Sequence, residues 1–156
     1  MSSVQITVPK EYGYVLLTAT STFLLSLWHA VRVSPYRKAA GIPFPAALAL
    51  PSDISAASPE KKKAMYLFNC AQRAHYNFIE NYNTALPALL IGGLKYPVAA
   101  SLVGVGWVVC RTAYAVGYTR RDKEGGKGRS VGAPFWLFQV GLYWMAGSLG
   151  YSLLMG

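Results

Sequence analysis

The sequence predicts an all-α protein, an integral membrane bundle of four helices, and two observations lead to this prediction. Hydrophobic residues make up 53% of the 156-residue chain and charged residues only 13%, about half the share usual in a soluble domain. The charges are also unevenly spread, because four long stretches carry at most two each: 12–31, 64–94, 96–119 and 130–156. Each stretch can cross the hydrocarbon core of a bilayer, which takes about 20 helical residues.

The first predicted helix spans 12–33 and has no charge before Arg32. A cleaved signal peptide is the alternative for this segment. However, its apolar run is longer than the roughly 7–15 residues of a signal core, and no small-residue cleavage site precedes Arg32. We therefore predict a retained membrane helix.

The second helix follows a proline-rich connection. Prolines interrupt residues 34–60, so we predict a loop there rather than a helix. Ser58-Pro59-Glu60 then resembles a helix start, with proline in the first turn. The second helix is predicted to project into the cytoplasm, to enter the bilayer near Tyr66 and to span 65–93.

The last two helices are separated by a short charged segment. A tight turn at 92–97 makes the second helix and the third, at 97–119, antiparallel neighbours. Residues 120–130 are charged and glycine-rich, and we predict a loop there that is mobile in isolation. The fourth helix is predicted at 132–154. With nearly the whole chain in the bilayer, we predict a single domain over residues 1–156.

The net charge of +9 is explained by membrane topology rather than by nucleic-acid binding. Lys and Arg are concentrated in the connections after the first and third helices, whereas the opposite side has only Lys10 and Lys95. The positive-inside rule therefore places both long connections in the cytoplasm and the termini across the membrane. Attraction of the basic connections to anionic lipid adds a further reason for the charge.

The sequence gives no indication of a metal site or a disulfide framework. Its two cysteines, Cys70 and Cys110, lack metal-ligand spacing and are predicted to be free thiols.

A polar stripe on the second helix is the strongest functional signal. Arg73, Asn77 and Glu80 fall within an arc of roughly 60° at about 100° per residue. An ionised side chain at the centre of a membrane helix costs about 2.5–3.5 kcal/mol, so this stripe must face protein, water or a ligand. A cation, an amide and an anion in one row suit a small zwitterionic molecule.

The third helix has a matching stripe. Arg111, Tyr114 and Tyr118 share one face, and antiparallel packing puts Arg111 in the same leaflet as Arg73. Two arginines and one carboxylate leave an excess of positive charge, which favours an anionic ligand bound by planar guanidinium groups. An internal ion pair between Glu80 and either arginine, with a purely structural role, is the alternative.

Two motifs occur in order on the second and third helices: FNCAQRAHYNFIENY (68–82) carries an R-x-H-x-N-x-x-E pattern, and CRTAYAVGYTR (110–120) carries R-x-x-Y-x-x-x-Y. Together they resemble the MAPEG family, the membrane-associated proteins of eicosanoid and glutathione metabolism. The resemblance extends over about 9–154. The N-terminal segment KEYGYVLLTA (10–19) and the FNC-QRAH motif are most similar to the family's branch of type 3 microsomal glutathione transferases. The resemblance implies a homotrimer that binds glutathione between neighbouring subunits, near the cytoplasmic side.

The resemblance also implies a role for each matched position. The family's thiol-activating arginine precedes the fourth helix, where Arg129 is the best match and Lys127 the alternative. The contact implied for His75, which faces away from Arg73, could be made across a subunit boundary. The residues implied to bind glutathione are Arg37, Lys38, Arg73, His75, Asn77, Glu80, Arg111, Tyr114 and Tyr118.

The resemblance implies a glutathione transferase for lipophilic electrophiles, with peroxidase activity on lipid hydroperoxides and leukotriene-C-synthase-like activity as related reactions. Glutathione is expected as co-substrate, with no metal and no nucleic-acid partner. The expected membrane is the endoplasmic reticulum, or the mitochondrial outer membrane, with the site facing the cytosol. A non-catalytic lipid-binding scaffold like the 5-lipoxygenase-activating protein is one alternative. A four-helix multidrug exporter is another, but such exporters need a carboxylate in the first helix, and 12–33 has none.

Overall fold

The computed structural model describes residues 7–155, and the described chain is all-helical. The ends of the predicted domain, 1–6 and 156, lie outside the described residues. The elements are α1 (Tyr12–Ala40), α2 (Pro51–Ala56), α3 (Pro59–Lys95), α4 (Pro97–Tyr118), a 3₁₀ helix (Glu124–Gly132) and α5 (Phe135–Met155).

The long helices α1, α3, α4 and α5 correspond to the four predicted ones, and α2 and the 3₁₀ helix are additional. By length and composition, α1 and α4 are long and apolar enough to cross a membrane. The helix α3 begins well before 65, at Pro59, as the Ser58-Pro59-Glu60 sequence predicts. Membrane crossing by α3 and α5 stays a prediction.

The loop predicted at 34–60 is wrong at its start. The helix α1 continues through Pro35 to Ala40, although an internal proline removes one backbone hydrogen bond. Tertiary contacts stabilise the extension, since Arg32 Nη2 donates to Thr119 Oγ1 over 2.5 Å and the Tyr36 hydroxyl donates to the same oxygen over 3.2 Å. The prolines alone could not indicate these contacts.

A second part of the predicted loop is also ordered. The helix α2 has Pro51 in its first turn, and Asp53 Oδ2 accepts a hydrogen bond from the Leu50 N–H over 3.0 Å. Just before it, Asn69 of α3 holds the backbone of Ala49: its amide accepts from the Ala49 N–H over 2.8 Å and donates to the carbonyl oxygen over 2.9 Å. The Asn69 side chain of α3 therefore orders a segment whose own sequence does not predict an ordered structure.

The start of α3 is capped by local hydrogen bonds. The Lys61 N–H donates to Ser58 Oγ over 3.4 Å, which satisfies one of the unpaired donors of the first turn. Glu60 lies in the same turn, and hydrogen bonds from its own backbone and from Ser58 lower the pKa of its carboxyl group. A capped and charged first turn is suited to the aqueous side of a membrane boundary.

The prediction of a loop at 120–130 is wrong from Glu124 onward, where a 3₁₀ helix begins, whereas its mobility stays a prediction. Gly117 of α4 and Gly128 of the 3₁₀ helix approach so closely that a Cβ on either would clash with the other's carbonyl oxygen. This packing is available only to glycine. Gly128 of this glycine-rich segment therefore allows close backbone contact between the 3₁₀ helix and α4.

Contacts group the described chain into two compact units. Unit 1 contains the residues up to Leu24, Asn81–Cys110 and the residues from Pro134 onward. Its core includes Val15, Leu89 and Leu142, and the tight approach of Gly104 to Leu89 confirms that α3 and α4 are neighbours there. The turn between them is short, with Tyr96 alone separating α3 from α4.

Unit 2 contains Leu25–Glu80 and Arg111–Ala133. Its core joins the end of α1 to α3, through residues such as Val33, Met65 and Phe68. Ile54 of α2 packs against the same core. Every residue that the sequence predicted for the site belongs to this unit.

Candidate functional site

The centre of the candidate site is an amide on α3 and an arginine on α4. Arg111 Nη1 donates to Asn77 Oδ1 over 2.9 Å, and Asn77 Nδ2 donates to Glu80 Oε2 over 3.4 Å. The Arg111 side chain is completely buried, whereas Glu80 is exposed. Asn77 therefore links a buried cation to a carboxylate at the surface of the unit.

Two tyrosines continue this row along α4. The Arg111 guanidinium lies 4.9 Å from the centre of the Tyr114 ring, close enough for a cation–π interaction. The Tyr114 and Tyr118 rings are 5.6 Å apart, edge to face. Spacing of three and four residues on a helix brings these side chains to one face, as the sequence predicts.

Arg129 completes the row from the 3₁₀ helix. Its guanidinium lies 5.3 Å from the centre of the Tyr118 ring. The structure thus brings together six predicted residues in a continuous polar row, which we call the polar row: Glu80, Asn77, Arg111, Tyr114, Tyr118 and Arg129. The row joins α3, α4 and the 3₁₀ helix.

Arg73 lies one turn before Asn77 on α3 and is exposed. Its charge interacts with the hydroxyl group of Tyr114, and it has no hydrogen bond or ion pair with the residues that the structure describes. Arg73 and Glu80 are therefore the exposed charges of the stripe, available to a ligand or to a second copy of the chain.

The alternative of an internal ion pair between Glu80 and an arginine stays a prediction. Asn77 bridges Glu80 and Arg111, and the charges of these two residues interact. An ion pair within 4.0 Å is formed on the surface by Arg120 and Asp122. The Arg120 guanidinium holds the pKa of Asp122 below its ordinary value through two hydrogen bonds. The polar row contains two arginines, Arg111 and Arg129, and one carboxylate, Glu80.

Arg129 is held by backbone. Its Nη1 donates to the carbonyl oxygens of Gly125 and Gly126, each over 3.0 Å. Its Nη2 has no hydrogen bond with the described residues, so one edge of the guanidinium can bind an anion. Lys127, the alternative, is exposed and belongs to no part of the row.

Three predicted residues lie apart from the polar row within one chain. Arg37 Nη1 donates to the Ala46 carbonyl oxygen over 2.6 Å, and its guanidinium stacks on Phe44 and Phe68. Its neighbour Lys38 is exposed. These two cations lie at the end of α1 and are not brought to Arg111.

His75 is the third of these residues. Its ring lies 6.0 Å from that of His29 on α1, consistent with the predicted position on the face opposite Arg73. The His29 ring stacks in turn on Phe78 at 4.4 Å. Within one chain, His75 therefore contributes to packing between α1 and α3.

Sequence reasoning missed one residue that contacts this site. The Tyr66 hydroxyl accepts a hydrogen bond from the Gly126 N–H over 2.7 Å, which ties α3 to the turn that holds Arg129. Tyr66 precedes Arg73 by seven residues, two helical turns, so helical phase could have assigned it to the same face.

The described chain is an all-helical protein with two helices able to cross a membrane and a cationic polar row on its central helices. The chain belongs to the MAPEG family, because the family's model matches residues 15–148. The match includes the whole polar row. The family comprises glutathione transferases, peroxidases and non-catalytic scaffolds.

Proposed function

We propose that the protein is a membrane glutathione transferase, similar to the type 3 microsomal branch, that conjugates the glutathione thiolate to lipophilic electrophiles. The observation that carries this proposal is the continuous polar row from Glu80 to Arg129. Peroxidase activity on lipid hydroperoxides and leukotriene-C-synthase-like activity would use the same thiolate.

The charges of the row match those of glutathione, which has one ammonium group, two carboxylates and one thiol. Exposed Glu80 would take the ammonium group. Arg73 and Arg111 would bind carboxylates, with Asn77 and the tyrosines completing the hydrogen bonds. Guanidinium groups suit this role because their planar fork matches a carboxylate.

The remaining candidates would act from a neighbouring subunit. Arg37, Lys38 and His75 lie apart from the row within one chain, and the family resemblance implies a homotrimer with glutathione between subunits. We assign these three residues to the adjacent subunit's site. The trimer is therefore part of the proposal.

Arg129 would activate the thiol. A thiol with a pKa of about 8.5 is only a few per cent ionised at neutral pH. A guanidinium beside the sulfur stabilises the thiolate, and each unit by which the thiol pKa falls corresponds to about 1.4 kcal/mol. The Nη2 edge of Arg129 is suited to this contact, because Nη1 alone is used by the backbone.

The chemistry is a nucleophilic displacement by sulfur. With an aryl halide the S–C bond forms and halide leaves, and with an epoxide the S–C bond forms as the C–O bond breaks and the oxygen takes a proton. With a lipid hydroperoxide the thiolate takes the terminal oxygen, releasing an alcohol, and a second glutathione converts the sulfenic acid to disulfide and water. Membrane residence would bring this polar nucleophile to substrates dissolved in lipid, in the endoplasmic reticulum or the mitochondrial outer membrane.

The test is to assay purified protein and glutathione against an aryl halide, a lipid hydroperoxide and a leukotriene epoxide in parallel. We expect thioether formation, and we expect Arg129→Ala to lower turnover roughly a hundredfold, as loss of one electrostatic stabiliser does, with little change in glutathione affinity. Arg121→Ala, an exposed arginine outside the row, is the matched control. Unchanged turnover in Arg129→Ala would eliminate its assignment, and glutathione binding without any product would favour the scaffold alternative.

A further inference from the structure

We propose that Tyr66 and the Gly125–Gly126 turn are positioning elements that fix the Arg129 guanidinium for its contact with the glutathione sulfur. This inference rests on the proposed function. It concerns residues that neither motif contains.

The turn places two acceptors at one donor. Gly125 and Gly126 both have left-handed backbone conformations, with φ of 60° and 63°, which residues with a side chain rarely adopt. Their successive carbonyl oxygens both accept from Arg129 Nη1 over 3.0 Å. Two acceptors on one nitrogen restrict the rotation of an otherwise flexible side chain.

Tyr66 holds this turn against α3. Its hydroxyl oxygen accepts from the Gly126 N–H over 2.7 Å, and Arg129 Nη1 donates to the Gly125 carbonyl oxygen, so both polar atoms of the Gly125–Gly126 peptide group are hydrogen-bonded. The Tyr118 ring covers the other side of Gly126, where a Cβ would meet the ring edge. The position of the turn is therefore set by one tyrosine from α3 and one from α4.

As a consequence, the Arg129 side chain is already ordered before glutathione binds. Arginine loses considerable rotamer freedom when it is fixed, and a site that fixes it beforehand does not incur that loss when the sulfur binds. Nη1 anchors the group while Nη2 stays available. Without the anchor, Arg129 would spend less time beside the sulfur, and less of the bound glutathione would be thiolate at neutral pH.

Mutations of the turn should therefore change thiol ionisation without changing glutathione affinity. Glutathione affinity depends on contacts with the γ-glutamyl and glycyl ends, assigned above to Glu80, Asn77 and the arginines of α3 and α4. Loss of the hydrogen bonds that hold Arg129 Nη1 affects only the contact between Arg129 and the sulfur. The rising limb of the pH–rate profile would then move to higher pH, because the thiol must lose its proton to react.

Two variants test this. Tyr66→Phe removes the acceptor of the Gly126 N–H while keeping the ring. Gly125→Ala leaves ample space, since the nearest atom to a Cβ there is Lys127 Cγ at 3.9 Å, but it disfavours the left-handed conformation. Tyr96→Phe is the matched control, because it removes a hydroxyl that hydrogen-bonds Ser148 at 2.8 Å in unit 1.

The experiment records turnover with an aryl halide from pH 6 to 9, glutathione affinity, and tryptic cleavage after Arg129 in membranes. For both variants we expect a profile shifted upward by about one pH unit, which is tenfold lower turnover on the rising limb, with unchanged glutathione affinity and faster cleavage. Profiles that coincide with those of wild type and Tyr96→Phe would overturn the positioning role. Absence of wild-type turnover would instead overturn the proposed function itself, and this inference with it.

Discussion

At the scale of single residues, the site depends on how a buried cation is held. Arg111 is completely buried, and its neighbours include an amide oxygen and two aromatic rings. These polar and aromatic neighbours stabilise a buried guanidinium, and Asn77 links it to the exposed Glu80 carboxylate. A glutathione carboxylate bound here, as proposed, would add a charge-assisted hydrogen bond to this guanidinium.

Glu80→Gln tests the proposed contact with the ammonium group. Glutamine keeps an oxygen that can accept from Asn77 Nδ2 but removes the negative charge, so the row should be preserved while the ammonium contact weakens. Because Glu80 is exposed, we expect a loss of about 1 kcal/mol, roughly fivefold in Kd by calorimetry. Glu124→Gln, exposed on the 3₁₀ helix, is the control. Equal affinities in the two variants would remove the ammonium role from Glu80.

At the scale of elements, the row exists because α4 and the 3₁₀ helix are in backbone contact. Gly117 and Gly128 bring the two elements close enough for Arg129 to reach Tyr118. The 3₁₀ helix is therefore a structural part of the site rather than a linker between α4 and α5.

Gly117→Ala should accordingly destabilise the protein. Alanine is ordinarily the better helix former by about 1 kcal/mol, but its Cβ would clash with the Gly128 carbonyl oxygen, and overpacking of this kind costs about 1–3 kcal/mol. Gly147→Ala is a matched control on α5, because no atom lies within 4 Å of the Cβ position there. We expect a lower Tm only for Gly117→Ala in thermal unfolding followed by circular dichroism, and equal Tm values would argue against the close contact.

Elements that follow from local sequence could be predicted, and those that follow from tertiary contacts could not. Apolar stretches and helical phase predicted the long helices and the shared face of Asn77 and Glu80. The extension of α1 past Pro35 depends on a hydrogen bond to Thr119, some eighty residues away in sequence. The 3₁₀ helix that contains the Gly125–Gly126 turn could not be predicted from composition, because the turn contacts Tyr66 of α3 and Tyr118 of α4.

At the scale of the whole molecule, the charge distribution predicts orientation. Lys and Arg are concentrated in the two connections that include α2 and the 3₁₀ helix, and the positive-inside rule assigns these to the cytoplasm. The glutathione pool of the cytosol would then have access to Arg129. Both free cysteines lie in helices, so a new surface cysteine can report on topology.

Ser55→Cys and Lys10→Cys, in a variant lacking Cys70 and Cys110, test this orientation with a membrane-impermeant maleimide. Both positions are exposed. In sealed vesicles with the cytoplasmic face outward we expect labelling of Ser55→Cys alone, and of both after detergent. Labelling of Lys10→Cys before detergent would reverse the predicted topology.

Calorimetric titration of glutathione into the purified protein tests the central claim most directly, namely that the polar row is a binding site for this tripeptide. Wild type should bind, and Arg111→Lys should bind at least tenfold more weakly, a loss of about 1.4 kcal/mol or more, because lysine keeps the charge but loses the planar fork. Absence of binding by the wild type, or equal binding by Arg111→Lys, would contradict that claim.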